Sequence, residues 1–122
     1  MNNQIITDKE ILILREGFIR MSPKQTNIPI DIFVNEDNIS KYTSFPIIVL
    51  FRNSYEADSN DLMPLSVSDN PIMLSNKKLN ISNEDYCKIV EWVIKHKDLL
   101  IALSEERLTG FEFLDEYHKK LN

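Results

Sequence analysis

Two histidines and one cysteine are the side chains of this sequence best suited to transfer a proton or attack a substrate near neutral pH. His96 follows Trp92 by four residues, which places the two rings on the same side of a helix. We interpret them as a packed, half-exposed pair rather than as a general base. His118 lies in a basic helix end, where its charge offsets the helix dipole. Cys87 has no neighbouring base in the sequence and is expected to be buried as a small apolar side chain.

An acid-rich segment in the middle of the chain could bind a divalent cation. Asp58, Asn60 and Asp61 resemble part of an oxygen-ligand loop, but the glycine and closing glutamate of an EF-hand are missing. Gly17 and Gly110 are the only glycines in the sequence, which excludes a glycine-rich phosphate loop. The sequence therefore predicts no catalytic residue, no metal site and no cofactor.

The formal net charge of −5 disfavours a nucleic-acid partner, because an acidic surface repels a polyanion. Basic residues are adjacent only in the pairs Lys77-Lys78 and Lys119-Lys120, which are typical of solvated surface. Aromatic residues in the middle third could stack bases, but without interleaved arginines and lysines we interpret them as core. They are Phe33, Tyr42, Phe45, Phe51 and Tyr55.

Residues 81–108 have the clearest helical signature, and they contain neither glycine nor proline. Ser82 stands at the N-cap, where its hydroxyl can accept a hydrogen bond from the backbone N–H of Asp85. Apolar side chains then recur at steps of three and four, which predicts one buried stripe. The stripe consists of Tyr86, Ile89, Val90, Val93 and Ile94.

The apolar run in the second half of this segment is too wide for one stripe, and two explanations are open. Either the helix bends between His96 and Asp98, with Asp98 capping a second segment, or Leu99 and Leu103 meet another helix or another subunit. The second explanation makes Trp92, His96, Leu99 and Leu103 a candidate interaction surface.

A capping box of Thr109 and Glu112 predicts a last helix over 110–121. Its apolar stripe is predicted to consist of Phe111, Leu114, Tyr117 and Leu121.

The N-terminal segment allows two interpretations. Thr7 and Glu10 form a capping-box pattern, which favours a helix over 8–16. The apolar runs 11–14 and 18–21 are instead typical of the two strands of a hairpin. We prefer the hairpin and keep the helix as the alternative.

The middle of the chain is predicted to be strand-rich. The run 46–52 has no polar residue in its middle, which is typical of a central strand covered on both faces. Further strands are predicted at 28–34 and 63–67, with 72–74 returning as a second hairpin. Polar loops are predicted at 22–27 and 53–61, the second of them mobile.

Strands first and helices last predict one α+β domain over residues 1–122, strand-rich in 1–80 and helical in 81–122. A small antiparallel sheet should pack one face against two or three C-terminal helices. The N-terminus has neither the basic region nor the apolar run of a signal peptide, and no apolar run is long enough for a membrane span. We therefore expect a cytoplasmic protein with no membrane partner.

The C-terminal third resembles the tail of small hypothetical proteins encoded by Bacteroides-type genomes, and this resemblance implies a bacterial source. The matching residues are Ile81-Ser82, Asp85, Ile89, Trp92-Val93, Lys97, Leu99-Leu100 and Phe113-Leu114. The upstream segments Val34-Asn35-Glu36-Asp37-Asn38 and Ser68-Asp69-Asn70-Pro71 are similar to segments of the same proteins. The resemblance covers about half of the chain, and it implies no activity, cofactor or site residue.

Three functions follow as hypotheses. A non-catalytic protein-interaction or regulatory protein is preferred, with a protein partner or self-association. The first alternative is a small hydrolase-like enzyme whose acidic residues and His96 converge only on folding. The second is a nucleic-acid-associated protein, which requires the lysines and Arg52 to gather on one face.

Overall fold

The structure is a computed structural model that describes residues 5–36 and 47–121. The strands in these ranges are β1 (Phe18–Met21), β2 (Ile32–Asn35), β3 (Ile48–Arg52) and β4 (Leu62–Ser66). The helices are α1 (Asp8–Leu14), α2 (Pro23–Thr26), α3 (Asn83–Lys95), α4 (Lys97–Ser104) and α5 (Gly110–Leu121), and a 3₁₀ turn at Arg15–Gly17 follows α1. Among the described residues, no helix has both the length and the apolar character needed to cross a membrane.

The four strands form one antiparallel sheet in the order β1-β2-β3-β4. Arg20 of β1 is opposite Phe33 of β2, and Phe33 is opposite Leu50 of β3, so these three side chains share a face. Pro64 belongs to the edge strand β4, where a strand tolerates proline. The predicted α+β class, with an antiparallel sheet before C-terminal helices, is confirmed.

One face of the sheet packs against α3, α4 and α5 and forms the larger core. Strand β3 is buried on both faces, with Ile48 to Phe51 at 0% exposure, as its uninterrupted apolar sequence predicts. The fully buried members of this core include Met21, Ile32, Val34, Val49, Phe51, Met63 and Leu65 from the sheet, and Ile89, Val93, Leu103, Phe113 and Tyr117 from the helices.

The opposite face of the sheet is covered in part by α1. Ile11 and Leu14 of this helix pack with Ile48, Leu50 and Leu62 in a second, smaller core. Phe18 and Phe33 lie at the margin of this core and remain partly exposed. The half of this face formed by β1 and β2 is therefore less covered than the half formed by β3 and β4.

The preferred hairpin at 11–14 and 18–21 is wrong in its first strand, because 11–14 lies in α1. Thr7 Oγ1 accepts from the backbone N–H of Glu10 at 3.2 Å, and Glu10 Oε1 accepts from the Thr7 N–H at 2.9 Å. The helix alternative is right, although the α-helix ends at Leu14. The capping box and the burial of one helix face outweigh the β-branched run.

Three other segments differ from the sequence prediction. Residues 28–31 are not strand, because Asn27 takes a left-handed conformation with φ 64° and Pro29 follows. The predicted loop 22–27 contains the short helix α2, whose capping box joins Ser22 to Gln25. The return strand at 72–74 is reduced to one bridge between Met73 and Leu65.

Some residues used in the sequence predictions lie outside the described ranges, so those predictions are not tested at these positions. They are Asp37, Asn38, Tyr42, Phe45 and Pro46.

The long C-terminal segment is interrupted at His96, which separates α3 from α4. Ser82 caps α3 as predicted, with its Oγ 3.1 Å from the backbone nitrogen of Asp85. The predicted break is therefore confirmed, but Asp98 lies inside the first turn of α4 and is not its N-cap. Leu103 packs in the larger core with α5 residues, so the break and the contact with another helix occur together.

Most residues of the two predicted stripes face the larger core: Ile89, Val93 and Tyr117 are fully buried, and Tyr86, Val90 and Leu114 pack against it. One predicted member of each stripe is exposed instead. Ile94 is 44% exposed, whereas Trp92 is buried in α3. Phe111 is 87% exposed, whereas Phe113 is fully buried in α5. The capping box of Thr109 and Glu112 forms as predicted and begins α5.

Residues 53–61, predicted as a mobile loop, are held at both ends of the segment. Asn53 is buried; its side-chain amide donates to the Lys78 carbonyl at 2.9 Å and to Asp61 Oδ2 at 3.1 Å. Its carbonyl oxygen accepts from the Asn80 N–H at 2.8 Å. Tyr55 Oη donates to Asp85 Oδ2 at 2.7 Å, and this hydrogen bond is the main reason that the pKa of Asp85 is lowered. The loop therefore holds in place the segment around Lys78 and Asn80 that leads into α3.

Replacing Asn53 by alanine is expected to lower the free energy of unfolding by about 2 kcal/mol, because backbone groups of Lys78 and Asn80 lose their partner. Chemical denaturation at pH 7 measures this change. Asn76→Ala is the control, since Asn76 is exposed and surface changes stay within about 0.5 kcal/mol. Equal stabilities of the two variants would contradict the role assigned to Asn53.

Candidate anion-binding cleft

The interaction surface predicted from the sequence does not form a surface. Trp92, His96 and Leu103 are 6%, 1% and 0% exposed, and only Leu99 is partly exposed. The prediction is corrected for the three buried residues because the helices fold back on the sheet and α5 covers them. A partner could reach these side chains only after the core opened.

His96 belongs to a buried aromatic cluster with Trp92 and Tyr117. Its ring centroid lies 5.1 Å from that of Trp92 and 4.7 Å from that of Tyr117. Trp92 Nε1 donates to Tyr117 Oη at 3.0 Å, and Tyr117 Oη donates to the Gln25 carbonyl at 3.1 Å. The contact with Trp92 was predicted, but the expected half-exposure of His96 is wrong.

Burial, with a smaller contribution from the positive charges of Lys95 and Lys120, lowers the pKa of His96 to about 4. The ring is therefore neutral at pH 7. Its Nδ1 is buried without a hydrogen-bond partner among the described residues. Within the described ranges no carboxylate orients His96, and its 1% exposure leaves it without the access to solvent that a general base needs.

Other predicted candidates also lie apart from one another. Cys87 is exposed, which corrects the expectation that it is buried. Asp58 and Asn60 are exposed in the loop 53–61, as expected for a solvated segment. Within residues 5–36 and 47–121, no three His, Cys, Asp or Glu side chains approach closely enough to hold a metal ion.

Arginine side chains instead gather on the sheet face that α1 covers in part. A cleft of about 290 Å³ opens there and is lined by Arg15, Arg20 and Arg52. These are three of the four arginines in the chain, and the fourth, Arg107, is not among its lining residues. The other lining residues are Glu16, Phe18, Phe33, Ser59, Asn60 and Leu62. We call this site the arginine cleft.

Arg52 is held in a fixed position by Asp31, which is 5% exposed. Its Nε and Nη2 donate to Asp31 Oδ2 at 3.1 and 2.9 Å, and its Nη1 donates to the Ser59 carbonyl. The guanidinium carbon also lies 5.5 Å from the centroid of the Phe33 ring. Three of the five N–H groups of a guanidinium are engaged in this way, which leaves part of it for a ligand.

Arg20 is held less firmly. Its Nη2 lies 3.0 Å from Asp31 Oδ1, but this oxygen has no aligned hydrogen-bond donor. The Arg20 side chain is 56% exposed, against 13% for Arg52. Both arginines also line a neighbouring cavity of about 100 Å³ with Asp31 and Tyr55. Arg20 can therefore turn toward a ligand while Arg52 stays in place.

Arg15 closes the cleft from the end of α1. Its Nη1 lies 3.4 Å from Asn60 Oδ1, a long hydrogen bond at an exposed position. A further cavity beside it contains Lys77, which donates to Asp8 and Asp61 at 2.7 Å each. Burial lowers the pKa of Lys77, but these two carboxylates raise it above its usual value. Lys77 is thus neutralised by two carboxylates within the protein. Among the described residues, the three arginines of the cleft have fewer acidic partners, namely Glu16 in the lining and Asp31 behind Arg20 and Arg52.

Sequence reasoning missed the arginine cleft because the residues that form it lie far apart in the chain. Arg20 and Arg52 are joined only through the register of three strands and through Asp31. Arg15 approaches them only because α1 packs on the sheet. The one local signal is the spacing of Phe18 and Arg20. They are two residues apart in β1, so an aromatic and a charged side chain lie on the same face of the strand.

Comparison of the chain with protein-family models, with curated proteins and with solved structures gives no match. The geometry of the arginine cleft is therefore the basis for a functional proposal.

Proposed function

We propose that this protein is a non-catalytic regulatory protein of the cytoplasm that binds a partner protein through an anionic group. The anionic group is taken up in the arginine cleft. The single observation that carries this proposal is that three of the four arginines in an acidic chain line one concave site. A lone cysteine, which cannot form an internal disulfide, is typical of a reducing compartment and supports the location.

The chemistry of the lining supports binding over catalysis. Guanidinium groups stay protonated in proteins, so they attract anions but do not exchange protons near pH 7. Arg20 and Arg52 can form paired hydrogen bonds with a carboxylate or a phosphoryl group. His96, on which the hydrolase alternative depends, is buried on the other side of the sheet. His96 therefore supplies no proton acceptor to the cleft, where Glu16 is the carboxylate among the lining residues.

The nucleic-acid alternative is less well supported. A phosphate backbone needs an extended row of unpaired cations. Lys77 is paired with Asp8 and Asp61, and Lys119 is paired with Asp115 and Glu116. The cleft itself holds about 290 Å³, which fits one group and not a strand.

Binding of fluorescent peptides that carry glutamate or phosphorylated residues tests the proposal, with anisotropy as the measurement. We expect Arg20→Ala to weaken the best peptide about tenfold or more, because a hydrogen bond to a charged group contributes about 1.5–3 kcal/mol. Arg107→Ala is the matched control, since Arg107 is similarly exposed, at 62%, and pairs only with Glu105 among the described residues.

Two results would overturn the proposal. One is that no acidic or phosphorylated peptide binds at low ionic strength. The other is that Arg107→Ala weakens binding as much as Arg20→Ala does, which would show that general charge attraction accounts for the binding.

A further inference from the structure

We infer that the group taken up in the arginine cleft is a phosphomonoester carried on a flat aromatic ring. This inference rests on the proposed function for the location of the site, and it adds the chemical class of the ligand. It is argued from the charge, the apolar wall and the size of the cleft.

The cleft attracts an anion, and its guanidinium donors favour an anion with three acceptor oxygens over a carboxylate. Arg15, Arg20 and Arg52 face one acid, Glu16, within the lining. Asp31 lies behind Arg52 and Arg20 and neutralises part of their charge without entering this cleft. A phosphomonoester carries about −1.5 to −2 charges near pH 7 and presents three acceptor oxygens. A carboxylate carries one charge and two oxygens, so it accepts fewer hydrogen bonds from the three guanidiniums than a phosphoryl group does.

The wall of the cleft favours an aromatic carrier. Phe18 and Phe33 are partly exposed beside the arginines, and Leu62 forms the apolar floor where α1 begins to cover the sheet. A flat ring can pack on such side chains with its edge or its face. A chain of hydroxyl groups would leave its polar atoms against this wall without partners.

The size of the cleft suits a carrier of one ring. Its volume of about 290 Å³ lies at the lower end of the range for small-ligand sites. A phenyl ring with one phosphoryl group fits this volume, and a dinucleotide does not. The same chemistry has two sources, a phosphotyrosine side chain of a partner protein and a free aryl phosphate.

The two arginines of the sheet have different parts in this recognition. Arg52 supplies a pre-oriented guanidinium, because Asp31 and the Ser59 carbonyl fix its plane. Arg20 supplies an adjustable guanidinium, because it is more than half exposed and its contact with Asp31 lacks an aligned donor. Replacement of Arg20 by lysine keeps the charge and removes the planar pair of donors.

Calorimetric titration of the folded full chain at pH 7.5 tests the inference with three probes. They are phenyl phosphate, phenyl sulfate as the monoanion of similar shape, and inorganic phosphate as the anion without the ring. We expect phenyl phosphate to bind tightest and each of the other two about tenfold more weakly. Phenyl sulfate should bind more weakly because it carries less charge, and inorganic phosphate because it buries no ring. Equal affinities for phenyl phosphate and either reference probe would overturn the inference.

Arg20→Lys gives a second measurement that does not depend on unfolding, since Arg20 is largely exposed. We expect about a tenfold loss of phenyl phosphate affinity, with Arg107→Lys unchanged. An unchanged affinity in Arg20→Lys would contradict recognition by a planar guanidinium.

A phosphotyrosyl peptide separates this inference from the proposed function. Binding of the peptide at least as tight as that of phenyl phosphate supports both. Binding of phenyl phosphate alone supports the ligand class and refutes a protein partner. Arg20-dependent binding of a glutamate peptide without any binding of phenyl phosphate refutes the ligand class and leaves the proposed function standing.

Discussion

Replacing Asp31 by alanine is expected to lower the free energy of unfolding by about 3 kcal/mol, because it leaves the guanidinium of Arg52 without its buried partner. Asp31 is 5% exposed, and Arg52 is 13% exposed. The expected loss lies at the lower end of the range for breaking a buried ion pair, since Arg52 keeps the Ser59 carbonyl. Chemical denaturation at pH 7, compared with the unchanged chain, measures it.

Asp69→Ala is the matched control for this prediction. Asp69 also forms an ion pair, with Lys97, but its side chain is 88% exposed. Exposed pairs contribute about 0–1 kcal/mol, so its removal should change stability little. If both variants lost the same free energy of unfolding, the buried Asp31–Arg52 ion pair would not stabilise the fold more than an exposed pair does.

Asp31 also connects stability with binding. It neutralises part of the positive charge of the cleft, and it also fixes the plane of the Arg52 guanidinium. Asp31→Asn keeps the size of the side chain and removes its charge. The consequence for the cleft is a gain in net positive charge together with a less firmly oriented Arg52.

Stability is expected to fall by about 3 kcal/mol as the pH is lowered from 7 to 4, through the protonation of His96 alone. The pKa of His96 in the folded chain is about 4, against 6.5 for an exposed histidine, so the unfolded chain binds a proton that the folded chain excludes. The stabilisation is complete above pH 6.5 and is lost progressively as the pH falls toward 4. Each unit of difference in pKa corresponds to about 1.4 kcal/mol.

His96→Phe isolates this effect, because phenylalanine fills the aromatic cluster and does not titrate. The stability difference between the unchanged chain and His96→Phe should shift by about 3 kcal/mol in favour of the variant between pH 7 and pH 4. His118→Phe serves as the control, since His118 is exposed. A stability difference that stayed constant across this pH range for His96→Phe would refute the neutral, buried state of His96.

The cluster around His96 shows why burial was hard to predict. The sequence placed His96 beside Trp92, and that contact exists, with centroids 5.1 Å apart. The burial of His96 depends on Tyr117, which belongs to another helix. The centroids of the two rings are 4.7 Å apart. Spacing along one helix predicts neighbours, but only the packing of α5 determines exposure.

The sequence by itself determined features whose causes act within a few residues. Ser82 caps α3, the pair Thr109 and Glu112 begins α5, and the apolar run of β3 becomes the buried central strand. Capping bonds and apolar periodicity involve neighbours in the chain, so they can be recognised without knowledge of the fold. The α+β class followed from the order of these elements.

The tertiary structure decided what depends on residues far apart in the chain. Ile11 and Leu14 became helical because the capping box at Thr7 combines with burial against Ile48 and Leu50, although the run itself is also typical of a strand. The arginine cleft exists because strand register places Arg20 opposite Phe33 and because Asp31 draws Arg20 and Arg52 together. Long-range packing and ion pairing leave no periodic trace in the sequence, and this is why the site appeared only in the folded chain.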